Sequence, residues 1–105
     1  MKTQKLIIAL TLVLATGIAS AAEVSETWTK NCASCHGKDG TGNTTMGKKK
    51  GAKDYTDAAV QAKLTDADAI KAIKTGVPDK MKAFGDKLTD AEITALVAQI
   101  RAFKK

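Results

Sequence analysis

At 105 residues with a formal net charge of +6, the chain has room for one small domain and no more. Two cysteines and a single histidine fall short of the four ligands that a structural zinc site usually takes. From position 23 onward there are 3 Leu, 4 Ile, 4 Val and 2 Phe, 13 of 83 residues, a share at which composition alone suggests a disordered chain.

Residues 1–22 read as a signal peptide. Lys2 and Lys5 give a charged start, Leu6 to Ala15 an apolar run of ten residues with one Thr, and Ala19-Ser20-Ala21 or Ser20-Ala21-Ala22 a small-residue cleavage site. An uncleaved anchor is the alternative, because positions 6–22 carry no charge and approach spanning length. Gly17, Ser20 and the small-residue end favour cleavage, and no cysteine stands near the site to take a lipid. The expected organisation is a signal peptide over 1–22 and one domain over 23–105, exported to a bacterial periplasm or an equivalent space, with no stable membrane insertion after cleavage.

Val24, Trp28 and Cys32 recur at spacing four, which predicts a helix from about Val24 to Ala33. It runs into Cys32-Ala33-Ser34-Cys35-His36, which holds both cysteines and the only histidine. On a helix these three side chains share one face, at i, i+3 and i+4. This C-x-x-C-H spacing is that of c-type haem attachment. The thiols can add to the two haem vinyl groups as thioethers, and the imidazole lies where it can bind the iron. The competing uses fit less well. A thioredoxin-like site needs a βαβ context, and there is no strand pattern here. A Cys32–Cys35 disulfide would close a tiny loop and stabilise little. A chance match would leave His36 as a surface residue. A bound haem also answers the composition, since an apolar macrocycle supplies core that the side chains do not, as metal does in small metal domains.

Gly37, Gly40 and Gly42 break the first helix, and the Gly-, Thr- and Lys-rich stretch 37–54 predicts a loop. Thr56 is placed to cap a short helix reaching about Ala62. Thr65-Asp66-Ala67-Asp68 starts another, with Ile70 and Ile73 on one face, ended by Gly76 and blocked by Pro78. Thr89-Asp90-Ala91-Glu92 is a capping box, with Leu88 and Ile93 as a hydrophobic staple. Ile93, Leu96, Val97, Ile100 and Phe103 then form one stripe. The fold class expected is all-α, with three or four helices and two long loops.

His36 fills one axial position of an iron, and Met commonly takes the other in electron carriers. Met46 stands ten residues from His36 in the glycine-rich loop, with little chain to reach the opposite haem face. Met81 stands 45 residues away, after Gly76 and Pro78, on a segment free to turn over that face. Met81 is the expected ligand and Met46 a packing residue. Water or an open position is the alternative, and would mean ligand binding instead of electron transfer.

Together these residues resemble a class I c-type cytochrome, a small monohaem cytochrome c, over essentially all of 23–105. The resemblance rests on the N-terminal helix, Cys32-Ala33-Ser34-Cys35-His36-Gly37, and Met81-Lys82-Ala83-Phe84-Gly85 followed by Leu88-Thr89-Asp90-Ala91-Glu92-Ile93. It implies a cytochrome c-like fold around one covalent haem c, with thioethers at Cys32 and Cys35 and iron held by His36 and Met81. It also implies that Trp28 packs against the last helix near Leu96 and Ile100. The chain departs from the common pattern in having Lys82 where Pro often follows the Met, Gln99 in place of an aromatic, and no Pro between His36 and Val77.

Without the two signal lysines the balance is 15 basic to 11 acidic residues. Lys80 and Lys82 flank Met81, and Lys48-Lys49-Lys50 form a second cluster. A basic rim at the haem edge would steer the chain toward acidic surfaces on redox partner proteins. Four aromatics in total and an exported haem argue against nucleic acid. The function expected is a periplasmic monomer that carries one electron at a time and is not an enzyme. The alternatives are a haem subunit of a larger redox enzyme, or a haem peroxidase or sensor if the distal position is open.

Overall fold

A computed structural model describes residues 21–105, so the expected signal peptide lies outside the described residues but for its last two. Six helices follow in order: α1 (Ala21–Asn31), α2 (Ala33–His36), α3 (Thr45–Lys50), α4 (Ala58–Lys63), α5 (Asp66–Thr75) and α6 (Asp90–Ala102). Among the described residues there is no strand, only an isolated bridge between Val77 and Met81. No described helix is long and apolar enough to cross a membrane.

The all-helical expectation holds, and the count of three or four helices becomes six because of two short helices, α2 within the C-x-x-C-H motif and α3 after it. One comes from a break in the predicted first helix. The backbone turns at Cys32 yet keeps its helical path, with Cys32 N–H bonded to Trp28 O at 2.8 Å and His36 N–H to Cys32 O at 2.9 Å. The other, α3, lies inside the stretch expected to be loop. Thr44 caps it by accepting from Gly47 N–H at 2.8 Å, and its hydroxyl donates to Cys35 O at 2.7 Å. A Cβ on Gly47 would run into Cys35 O and Gly42 O. This helix exists because it docks on the motif, which no apolar periodicity reports.

The later helices start largely where expected. Asp57, not Thr56, caps α4, accepting from Ala59 N–H at 2.8 Å, because the Thr56 hydroxyl is taken by Asp54 at 2.6 Å. Thr65 caps α5 and Gly76, at φ +75°, closes it. The capping box of α6 has both halves: Glu92 N–H to Thr89 Oγ1 at 3.1 Å and Thr89 N–H to Glu92 Oε1 at 3.0 Å.

The core joins α1, α5 and α6. Trp28, Cys32, Ala69, Ile73, Phe84, Ile93, Leu96, Val97 and Ile100 are buried, with Leu88, Tyr55, Met81 and Phe103 packed against them. The Trp28 ring meets Phe103 at 5.0 Å between centroids. A polar clamp fastens the segment before α5 to α6. Buried Gln61 donates through Nε2 to Tyr55 O and Ile100 O, each at 2.7 Å. Arg101 donates to Gln61 O and Oε1 at 2.9 and 2.8 Å, to Leu64 O, and to Asp66 Oδ1.

Candidate functional site

Beside this core lies a cavity of about 610 Å³, within the size range of small-molecule and cofactor sites. One wall runs from the end of α1 through Cys32 into α2, which brings Cys32, Cys35 and His36 to it. Another is the segment after α5, which brings Val77, Met81 and Phe84. Tyr55, Leu64 and Ala72 complete the apolar lining. Met81 is half-buried and lines the cavity, whereas Met46 is 42% exposed and does not.

The motif wall is held by side chains and close approaches. Trp28 Nε1 donates to Gly37 O at 2.8 Å, a buried bond that fixes the peptide after His36. Gly37 sits at φ +80°, and its N–H closes on Ala33 O at 2.8 Å. The His36 ring has two aromatic neighbours, Trp28 at 5.7 Å and Tyr55 at 5.3 Å, the latter nearly parallel at 22°. Buried Nδ1 of His36 has no hydrogen-bond partner among the described residues. Burial lowers the pKa of His36, favouring the neutral imidazole that metal ligation requires.

The thiols point to the same use. Both are free. Burial, and then the neighbouring Cys35, push Cys32 up to about 11. A redox-active C-x-x-C needs the opposite, a depressed thiol pKa. The thioredoxin-like alternative therefore has neither its fold nor its electrostatics.

The Met81 wall is held by backbone bonds. Val77 N–H bonds Met81 O at 2.8 Å, and Met81 N–H bonds Val77 O at 2.9 Å. The turn between them passes through Asp79 at φ +63°. Phe84 N–H and Gly85 N–H return to Ile73 O and Lys74 O at 2.8 and 3.0 Å, anchoring the segment on α5. Gly76 is required there, since its φ is positive and a Cβ would stand 2.7 Å from Met81 O. Lys50 Nζ donates to Asp79 O at 3.0 Å, linking α3 to this turn.

Lys30, Lys50, Lys53, Lys80 and Lys82 also line the cavity, with no acidic side chain among the lining residues. Of the Lys48-Lys49-Lys50 cluster only Lys50 takes part. Lys82 lies 5.3 Å over the Phe84 ring, a cation–π distance. Sequence reasoning missed Tyr55, Gln61 and Lys53. The signal available for Tyr55 was its being the only tyrosine, set in an otherwise polar loop.

A cavity of this size with two thiols, a half-buried imidazole, a thioether sulfur and apolar walls fits a covalently attached haem. Comparison with known proteins agrees. Residues 19–100 match the family model described as cytochrome C oxidase, cbb3-type, subunit III. The chain is 35% identical over 107 aligned residues to a cytochrome c6 of Synechococcus sp. (strain ATCC 27167 / PCC 6312), covering 95% of this chain and 91% of that one. Among solved structures it is similar to the KustC0563 c-type cytochrome, with a TM-score of 0.73 and 41% identity over 77% of this chain and 96% of that one. A point-mutant form of that protein matches with a TM-score of 0.71 and 40% identity, over 77% and 98%. The chain belongs to the small c-type cytochromes, within the family of that cbb3-type subunit III model, and its cofactor is covalently bound haem c with its iron.

Proposed function

We propose that this chain is a periplasmic one-electron carrier in which Cys32 and Cys35 anchor the haem and His36 and Met81 fill both axial positions of its iron. The observation that carries this is that all four side chains line one cavity while Met46 stands outside it. The bound haem supplies a metal that cycles between ferric and ferrous states. The rest falls to the chain. Cys32 and Cys35 fix the orientation of the group. His36, kept neutral by burial, offers a lone pair, and Met81 offers a soft sulfur that favours the reduced state. With both axial positions taken, no site is left for a substrate.

The five lysines around the cavity form the docking face in this reading. They speed encounters with an acidic surface on a redox partner, across the small contact area of a transient complex. Residues 1–22 are the export signal. A second reading has one observation in its favour: the matching family model is described as an oxidase subunit, which suggests a haem subunit held in a larger enzyme. Purification from the periplasmic fraction separates the two, with a free monomer expected and a stable multisubunit complex favouring the subunit. The carrier reading also predicts a six-coordinate low-spin spectrum and no carbon monoxide binding by the ferrous protein. Rapid carbon monoxide binding would contradict it and favour a sensor or peroxidase.

A further inference from the structure

A ligand imidazole turns easily about its χ2 bond, and metal proteins usually stop it by giving the free ring N–H an acceptor. His36 Nδ1 has no such acceptor among the described residues. What the ring has instead is two aromatic neighbours, Trp28 and Tyr55, at 5.7 and 5.3 Å between centroids. These are offset-stacking and tilted-pair distances, and the Tyr55 ring is the closer and more nearly parallel of the two.

Tyr55 is itself braced. Its N–H bonds Gly40 O at 2.8 Å. Its carbonyl accepts from buried Gln61, which also holds Ile100 O and is gripped by Arg101. The α6 helix therefore reaches the His36 ring through Gln61 and Tyr55. We propose that Tyr55 is a positioning residue of the iron site, its stacked ring setting the plane of the His36 imidazole where a hydrogen-bond acceptor would otherwise do so. This rests on the reading of His36 as an iron ligand.

The test uses the haem-loaded protein and two variants, Tyr55→Phe and Tyr55→Leu. The orientation of an axial imidazole governs the anisotropy of ferric iron, so the readouts are the largest electron-paramagnetic g value and the order of the haem methyl proton resonances. Tyr55→Phe keeps the ring and should reproduce the wild-type pattern. Tyr55→Leu should shift the g value and reorder the methyl resonances while the sulfur-to-iron charge-transfer band keeps its intensity. A Leu variant identical to wild type, or a Phe variant displaced as far as Leu, would overturn the proposal. If Tyr55→Leu fails to load haem, the wild-type ferrous protein decides. Cross-relaxation between Tyr55 and His36 ring protons is expected, and its absence overturns the stack. Failure of the underlying reading looks different, as a wild-type protein with no low-spin haem spectrum at all.

Discussion

The wall carrying Cys32, Cys35 and His36 and the wall carrying Met81 border one cavity, but they are secured differently. The first is helix, pinned by the Trp28 indole, the Thr44 hydroxyl, the His36–Tyr55 stack and the close approach of Gly47. The second is a turn through a positive-φ aspartate, held by backbone hydrogen bonds to itself and to the end of α5 and by Lys50 on Asp79 O. Damage to the first wall propagates into the core, because Trp28 and Cys32 belong to it. The second wall meets the core at Phe84, but the Val77–Met81 turn that presents Met81 contributes no buried core residue. In the proposed reading the thioether anchors would stand on the wall tied into the core by Trp28 and Cys32, and the soft sulfur ligand on the turn at Met81.

Substitutions at two glycines act on the two walls separately. Gly47→Ala drives a Cβ into two backbone carbonyls, and overpacking of this kind costs about 1–3 kcal/mol or more. It should lower thermal stability of the haem-loaded protein and reduce the yield of attached haem. Gly76→Ala forces a positive φ on a side chain and crowds Met81 O and Ala83 N, at a cost of about 1–3 kcal/mol. It should leave helical circular dichroism near wild type while weakening the sulfur-to-iron band. Equal loss of that band in both variants, with equal loss of stability, would mean the walls are not independent.

Trp28→Phe sharpens the account of the first wall. It keeps a ring beside Phe103 and His36 but removes the indole donor to Gly37 O, leaving that carbonyl only the Gly40 N–H at 3.2 Å, a loss of one hydrogen bond at about 0.5–1.5 kcal/mol. Denaturant unfolding should show that loss, with the charge-transfer band intact. A variant as stable as wild type would remove the indole bond from the account.

The smallest effect concerns the rim. Lys80→Glu and Lys82→Glu should each slow the second-order reaction with an acidic redox partner at low salt. The difference from wild type should shrink as salt rises, since exposed charges are screened over about 8 Å at physiological ionic strength. Both lysines line the cavity mouth, so stopped-flow rates unchanged in both variants would remove the basic docking face.

How far the sequence anticipated this structure follows the same division. The C-x-x-C-H motif, the Thr65 cap, the Gly76 stop and the Thr89–Glu92 box are local chemistry, and each is found at the residues that carry it. The α6 stripe was legible because Ile93, Leu96, Val97 and Ile100 repeat at helical spacing and are all buried. What was hidden depends on contacts between distant positions. Helix α3 is stabilised by Thr44 and Gly47 meeting Cys35. Tyr55 matters because Gln61, 6 residues away, holds its carbonyl, and Arg101, a further 40 residues on, holds Gln61. The lining lysines Lys30 and Lys53 lie far from Met81 in sequence and reach the cavity only through the fold.

The central claim is that Met81, not Met46, completes the iron site across the cavity from His36. The near-infrared absorbance of ferric Met81→Ala and Met46→Ala proteins tests it. The account predicts that Met81→Ala loses the sulfur-to-iron charge-transfer band, has a lowered potential and binds exogenous ligands at the opened position. Met46→Ala, at an exposed position outside the cavity, should keep the wild-type spectrum. A band that survives in Met81→Ala and disappears in Met46→Ala would contradict it.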